Sequence, residues 1–192
     1  IGLGVMGLAD MFIALGIRYG SVESIEIVDE IMSIIWNEAV LTSAKLAKEK
    51  GTFNKYDWDK ISKSPMMKLL DKDVWEIVKT NGLRNASLLS IAPTGSIGTM
   101  AGVSGGVEPL FEIIYQRTTH ALSDKKQFFK VFAKSVEHLV KAHNIVIDAD
   151  SPHAVEGIKK RFPFVVSTHD IDPIERVKLQ ATMQKYVDNA IS

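Results

Sequence analysis

The segment Ala92-Pro93-Thr94-Gly95-Ser96-Ile97-Gly98-Thr99 gathers chemistry-capable residues into one turn. It follows a short apolar run, Ala86–Ala92, and its composition suits a turn that opens a helix. At such a point the first backbone N–H groups lack intrahelical acceptors, and the positive end of the helix dipole lies beside them. Both features favour a phosphate or a carboxylate. Thr94, Ser96 and Thr99 add hydroxyl donors, while Gly95 and Gly98 leave the backbone open to a ligand. No Gly-Lys-Ser/Thr follows, so the pattern is a phosphate nest without the lysine of a P-loop. A turn capped by its own Ser and Thr side chains explains the same letters equally well.

A second candidate is Gly2-Leu3-Gly4-Val5-Met6-Gly7, which satisfies G-x-G-x-x-G. In a dinucleotide fold this pattern follows a strand, opens a helix and precedes an acidic residue by about 20 positions. A helical pattern does follow, and Glu23 and Asp29 stand at roughly that distance. The bland alternative is that these glycines let a strand end pack closely against a helix. Of the histidines, His120, His138, His143, His153 and His169, no two make H-x-x-x-H metal spacing. His138 and His143 are expected to face solvent. His169-Asp170 follows an expected strand end, where shaping a loop is favoured over catalysis. Lys125-Lys126 reads as a solvated face, and the Trp and Met residues as core or interface.

These residues need elements to hold them. The pattern predicts helices over Gly7–Tyr19, Val22–Lys50 and Asp71–Thr80, with residues 52–70 irregular or short-helical. Ile25, Val28, Ile31, Ile35 and Ala39 mark the expected buried face of the second helix. Ala86–Ala92 and Phe164–Thr168 read as buried strands, and Val107–Tyr115 as extended. Ser123–His143 reads as an amphipathic helix burying Phe128, Val131, Phe132, Val136, Leu139 and Val140. A last helix is expected near Pro173, with Asp172 as its N-cap. Strands alternating with helices define an α/β architecture.

With 192 residues, 46% hydrophobic and 24% charged, the chain can form one ordinary domain. Zero net charge argues against nucleic acid as a bulk electrostatic partner. No apolar run reaches the roughly 18–20 residues of a membrane span, and no secretory signal is visible. The sequence contains no cysteine, which excludes disulfides, cysteine-zinc sites and thiol chemistry within it. It opens at Ile1 on a glycine-rich motif and closes at Ser192 without a tail, so it is expected to be a fragment.

Four blocks in fixed order carry a family resemblance. Gly2–Asp10 (GLGVMGLAD) resembles the glycine-rich segment of the ribonucleotide reductase large-subunit barrel. Asn85–Ile97 (NASLLSIAPTGSI) resembles its substrate-phosphate segment. Gly102–Phe111 (GVSGGVEPLF) resembles the following S-x-G-[IV]-E-P block. Gln184–Ser192 (QKYVDNAIS) resembles the stretch before its S-K-T-x-N signature.

The resemblance implies the second five-stranded half of a ten-stranded α/β barrel, with residues 1–192 one fragment of the catalytic barrel domain. It implies thiyl-radical reduction of ribonucleoside di- or triphosphates to deoxyribonucleotides for DNA synthesis. The radical cysteine, the reducing cysteine pair and the assisting glutamate are expected outside residues 1–192. What carries over is substrate-phosphate binding by Pro93, Thr94, Gly95, Ser96 and Ile97; catalytic and metal-ligating residues are expected to be none. Gly95 replaces an acidic residue found in some family members. That form, with Ser167–Ile171, resembles the adenosylcobalamin-dependent (class II) branch; a radical from a separate metal-containing small subunit is the alternative. Expected partners are the ribonucleotide, the remaining parts of the same catalytic subunit and a second copy in a homodimer, with no membrane or nucleic acid, in the cytoplasm. Two other readings stand beside this one: a nicotinamide-dependent oxidoreductase using Gly2, Gly4 and Gly7, and a non-catalytic nucleotide-binding or assembly module.

Overall fold

The computed structural model describes residues 1–119 and 127–192. In chain order its elements are α1 (Leu8–Leu15), α2 (Val22–Lys50), α3 (Trp58–Ile61), α4 (Lys72–Asn81), α5 (Gly95–Ala101), β1 (Ile114–Thr119), β2 (Gln127–Phe132), α6 (Lys134–Ala142), α7 (Ala154–Arg161) and α8 (Pro173–Gln184). The residues form two compact units. One comprises Ile1–Val5, Ile25–Ala92 and Val177–Ser192; the other comprises Met6–Ser24 and Pro93–Arg176.

In the first unit α2 forms because residues 22–50 contain neither Gly nor Pro, and Gly51 stops it in the left-handed region at φ 78°. Its buried stripe is Val28, Met32, Trp36, Val40, Ala44 and Ala47. The stripe expected from sequence shares only Val28; Ile25, Ile31, Ile35 and Ala39 are half-buried. Both stripes are apolar, so helical spacing alone does not choose between them. Polar anchors settle the rotation. The Trp36 indole N–H donates to the Met66 carbonyl at 3.1 Å, and Asn37 Oδ1 accepts the Asp71 N–H at 2.8 Å, fixing the start of α4. Ser43 Oγ, almost fully buried, accepts the Asn85 N–H at 3.1 Å and donates to Asn85 Oδ1 at 3.0 Å.

That last pair pins the entry to residues 86–92, which lie in the middle of a short parallel ladder. Leu3 pairs with Leu89, and Ile91 pairs with Ile191. Leu3 N–H donates to the Leu88 carbonyl (2.8 Å), and Ser90 N–H donates to the Leu3 carbonyl (2.9 Å). On the other side Ile91 N–H reaches the Ala190 carbonyl (3.1 Å), and Ser192 N–H reaches the Ile91 carbonyl (2.9 Å). The Asp188 carboxylate completes this edge by accepting the N–H groups of Leu88 and Leu89 at 2.8 and 2.7 Å. Removing it in Asp188→Ala strands two backbone donors, each bond to a charged group contributing about 2 kcal/mol. Amide exchange at Leu88 and Leu89 is therefore expected to quicken by about a hundredfold or more in the full-length protein. Unchanged protection at both amides would refute the clamp.

In the second unit α1 is short because Gly7 and Gly16, both at positive φ, bound it at either end. Phe12 and Tyr19 meet edge to face at 5.6 Å within its core. α1 packs on α6, whose buried residues are Val136 and Val140. β1 and β2 pair antiparallel, Ile114 opposite Phe132 through Thr119 opposite Gln127.

Several expectations need correction. Over its described residues, 127–143, the predicted helix Ser123–His143 is replaced by a strand and then a shorter helix. Four of residues 127–132 (QFFKVF) are aromatic or β-branched, and the segment takes β1 as a partner; Ala133 separates β2 from α6. Ser123–Lys126, His120 and the Phe128 side chain lie outside the described residues. Phe164–Thr168 is not a strand: Ser167 and Asp170 cap one another and draw the chain into a 3-10 turn. Of Val107–Tyr115 only Ile114 and Tyr115 belong to a strand. Ala86–Ala92 pairs at Leu89 and Ile91 alone. Among the described residues there is no five-stranded sheet and no closed barrel; parallel pairing is limited to three short segments, and helices predominate. α7 has no clear signal in the sequence, since its eight residues AVEGIKKR contain a glycine and few apolar side chains.

Candidate functional site

Pro93, Thr94, Gly95, Ser96 and Ile97 lie together in the second unit, at the start of α5. Thr94 sits at φ 52°, ψ 32°, in the left-handed region. A β-branched residue there costs about 1–3 kcal/mol and persists only when its surroundings hold it. The compensating contact is its own hydroxyl: Thr94 Oγ1 accepts the Gly106 N–H at 2.7 Å. Accepting leaves the hydroxyl hydrogen of Thr94 free to donate to a ligand. The Gly98 N–H returns to the Thr94 carbonyl at 2.7 Å, starting the helix. Among the described residues the N–H groups of Gly95, Ser96 and Ile97 have no acceptor. Gly95, Ser96 and Ile97 are exposed, and a Cβ at Gly95 would meet nothing within 4 Å. The turn therefore opens outward as an anion nest would.

Two residues of the sequence motif have other duties. Thr99 Oγ1 donates to the Gly95 carbonyl at 2.8 Å, so its proton is committed within the helix. Gly98 is buried, and a Cβ there would lie 3.2 Å from the Val103 carbonyl oxygen. It makes room for the loop at residues 102–106, not for a ligand.

That loop braces the turn. Val103 N–H donates to the Gly98 carbonyl at 3.0 Å. A Cβ on Gly105 would stand 2.6 Å from the Pro93 carbonyl oxygen. Ser104 is held at both backbone groups: the Asp10 carboxylate accepts its N–H at 2.6 Å, and its carbonyl accepts the Gly7 N–H at 3.1 Å. Beyond the loop, Tyr19 donates its hydroxyl to the Val107 carbonyl at 2.6 Å; burial pushes that phenol upward, so it stays protonated. In the sequence Asp10, Ser104 and Gly105 stand only as members of the glycine-rich and S-x-G-[IV]-E-P blocks, with no role of their own.

The Gly2–Gly7 motif does not form a dinucleotide turn. Gly2 and Gly4 lie on the paired segment around Leu3, and a Cβ on Gly4 would come 2.2 Å from the Ser90 carbonyl oxygen. Only Gly7 occupies a turn, at φ 80°. Glu23 and Asp29 are both on α2, not at the end of a second strand. A hydrogen bond from Lys185 (2.8 Å), reinforced by Tyr186, holds the Asp29 carboxyl below the usual carboxylate range. The glycines thus serve close packing, but Gly2 and Gly4 pack against the neighbouring paired segment at Ser90 and Gly7 against Val103, not against a helix.

The described histidines form no metal cluster, and no group of three His, Cys, Asp or Glu could hold an ion among the described residues. His143 lies against the Phe162 ring at 5.0 Å, and His153 is exposed 3.6 Å from Glu156. His169 lies 3.5 Å from Glu112 and edge-on to Phe111, which fits a loop-shaping role. His138 is exposed on α6 and lines a cleft of about 680 Å³ with Asp10, Lys134 and Ser135. No described helix is long and apolar enough to cross a membrane.

Comparison with protein families matches residues 1–192 to the ribonucleotide reductase barrel domain. The chain is 34% identical to a vitamin B12-dependent ribonucleoside-diphosphate reductase of Thermoplasma acidophilum, over 100% of the chain and 24% of that protein. It is 32% identical to a ribonucleoside-diphosphate reductase subunit alpha of Helicobacter pylori, again over 100% of the chain and 24% of the relative. A vitamin B12-dependent reductase of Mycobacterium tuberculosis is 29% identical over 100% of the chain and 26% of its own length. The chain belongs to the ribonucleotide reductase barrel-domain family. It spans about a quarter of the length of these curated relatives.

Proposed function

We propose that residues 1–192 are the substrate-phosphate-gripping part of a ribonucleoside-diphosphate reductase, and that they come from the second half of its ten-stranded barrel. The observation that carries this reading is the outward-facing turn whose N–H groups at Gly95, Ser96 and Ile97 have no acceptor among the described residues. Pro93 and Thr94 set the entry to that turn, and the free hydroxyls of Thr94 and Ser96 add donors to the phosphate oxygens. The work of this part is positioning: it fixes the ribose where a radical formed elsewhere in the protein reaches it. The test is substrate affinity in the full-length enzyme carrying Ser96→Asp.

The names of the Thermoplasma acidophilum and Mycobacterium tuberculosis relatives support adenosylcobalamin as the radical source of the whole protein. The Helicobacter pylori name is neutral on this point and keeps a separate metal-containing subunit as the alternative. No step on that group is assigned to residues 1–192. A homodimeric assembly in the cytoplasm, completed by the rest of the same subunit, belongs to the same reading.

The absence of cysteine has a direct consequence. Thiyl chemistry cannot start within residues 1–192. The purified 192-residue chain is expected to form no deoxyribonucleotide from ribonucleoside diphosphate, even with adenosylcobalamin and a dithiol reductant. Product above the no-protein background, measured by chromatography, would contradict the division of labour proposed here.

A further inference from the structure

We propose that Asp10 is a positioning residue for the phosphate turn, acting through Ser104 and Gly106; this rests on the reading of that turn given above. Asp10 lies in the first turn of α1, 84 positions before Thr94 in sequence. Its carboxylate accepts the Ser104 N–H at 2.6 Å, while the Gly7 N–H donates to the Ser104 carbonyl at 3.1 Å. The start of α1 therefore fixes both backbone polar groups of one loop residue. Two residues further along, the Gly106 N–H supplies the bond to Thr94 Oγ1 that holds Thr94 in its left-handed conformation. Gly105, between them, fits against the Pro93 carbonyl with no room for a Cβ.

The chain of contacts is continuous: Asp10 to Ser104, Ser104 through Gly105 to Gly106, and Gly106 to Thr94. Each link is a hydrogen bond or a peptide unit, so a shift of the loop moves the donor that Thr94 depends on. If Thr94 relaxes from positive φ, the start of α5 that carries the N–H groups of Gly95, Ser96 and Ile97 moves with it. Among the described residues Asp10 makes no hydrogen bond to Pro93–Ile97, so its effect on substrate is indirect. A carboxylate suits the position because a hydrogen bond to a charged acceptor is about twice as strong as a neutral one.

The test uses full-length reductase and cytidine diphosphate as substrate. Asp10→Ala is expected to raise KM about tenfold, the scale of one hydrogen bond to a charged group, with kcat changed less than about twofold. Asp10→Asn keeps an acceptor for the Ser104 N–H and is expected to restore KM to within about threefold. Gly105→Ala, at the far end of the same link, is expected to raise KM like Asp10→Ala, and it carries the test if Asp10→Ala does not fold. Ser96→Asp serves as the control for the turn itself. A raised KM in Ser96→Asp with an unchanged KM in a folded Asp10→Ala overturns the positioning role and leaves the turn intact. An Asn variant as impaired as the Ala variant also overturns it. An unchanged KM in Ser96→Asp overturns the phosphate reading, and the role of Asp10 with it.

Discussion

Ser96→Asp in the full-length reductase is expected to raise the KM for a ribonucleoside diphosphate by about thirtyfold while leaving the protein folded. Ser96 is exposed in the first turn of α5, beside the unpaired N–H groups of Gly95 and Ile97. A carboxylate there would stand roughly 4 Å from a bound phosphate. Repulsion at that distance is about 1 kcal/mol in bulk water and about 4 kcal/mol near a protein surface. An intermediate value of about 2 kcal/mol corresponds to about thirtyfold in affinity. The same substitution favours the helix, since an acidic residue in the first turn gains about 0.3–1 kcal/mol from the dipole. Affinity and stability are therefore expected to move in opposite directions. Steady-state kinetics together with thermal unfolding read both. An unchanged KM at full stability would remove the turn from the substrate site.

Gly4→Ala tests the other glycine-rich motif and is expected to be the most damaging small substitution in the first unit. Its new Cβ would lie 2.2 Å from the Ser90 carbonyl oxygen, a backbone atom within the parallel ladder. Relief requires the two segments to separate. The cost is expected to be about 3 kcal/mol or more, at the top of the range for overpacking. Gly2→Ala is the matched comparison: its Cβ would meet only the Ser90 side chain, at 3.3 Å, and the expected loss is about 1 kcal/mol or less. Urea unfolding of the two full-length variants gives the difference. A dinucleotide turn would show another pattern, with nicotinamide binding lost and stability little changed.

Much of the helical part of this fold is legible in the sequence. α2 runs from Val22 to Lys50 as its uninterrupted composition predicts, and α4 begins and ends within one residue of expectation. Aspartate before proline marks the start of α8: Asp172 Oδ1 accepts the Ile174 N–H at 2.7 Å. The strands are less legible because pairing depends on partners far along the chain. Residues 127–132 have both a helical and an extended reading, and only β1 decides between them. Phe164–Val166 has strand composition, yet the capping pair Ser167 and Asp170 diverts the chain that follows.

The site divides along the same line. The Thr94–Ile97 turn was visible because its glycine, serine and threonine residues have a local meaning. Its support was not. Asp10 meets Ser104 across 94 positions, and nothing local distinguishes this aspartate from a solvated one. The hydroxyls of Thr94 and Thr99 look equivalent in sequence. In the structure one accepts from Gly106 and keeps its proton, while the other gives its proton to Gly95.

The carboxylate of Asp188 bears on the timing of folding as well as on its end point. It meets Leu88 and Leu89 across 100 and 99 positions. At ribosomal elongation rates of about 5–20 residues per second, the central segment waits about 5–20 seconds for the side chain that completes its edge. Through that interval two backbone donors beside an apolar run have no partner of their own, a template that another extended chain can occupy. The late contact also raises the mean sequence separation of the fold, which slows its formation. Asp188 is thus a closing latch on the nascent chain, and the interval before it arrives is when these residues are most exposed to mispairing.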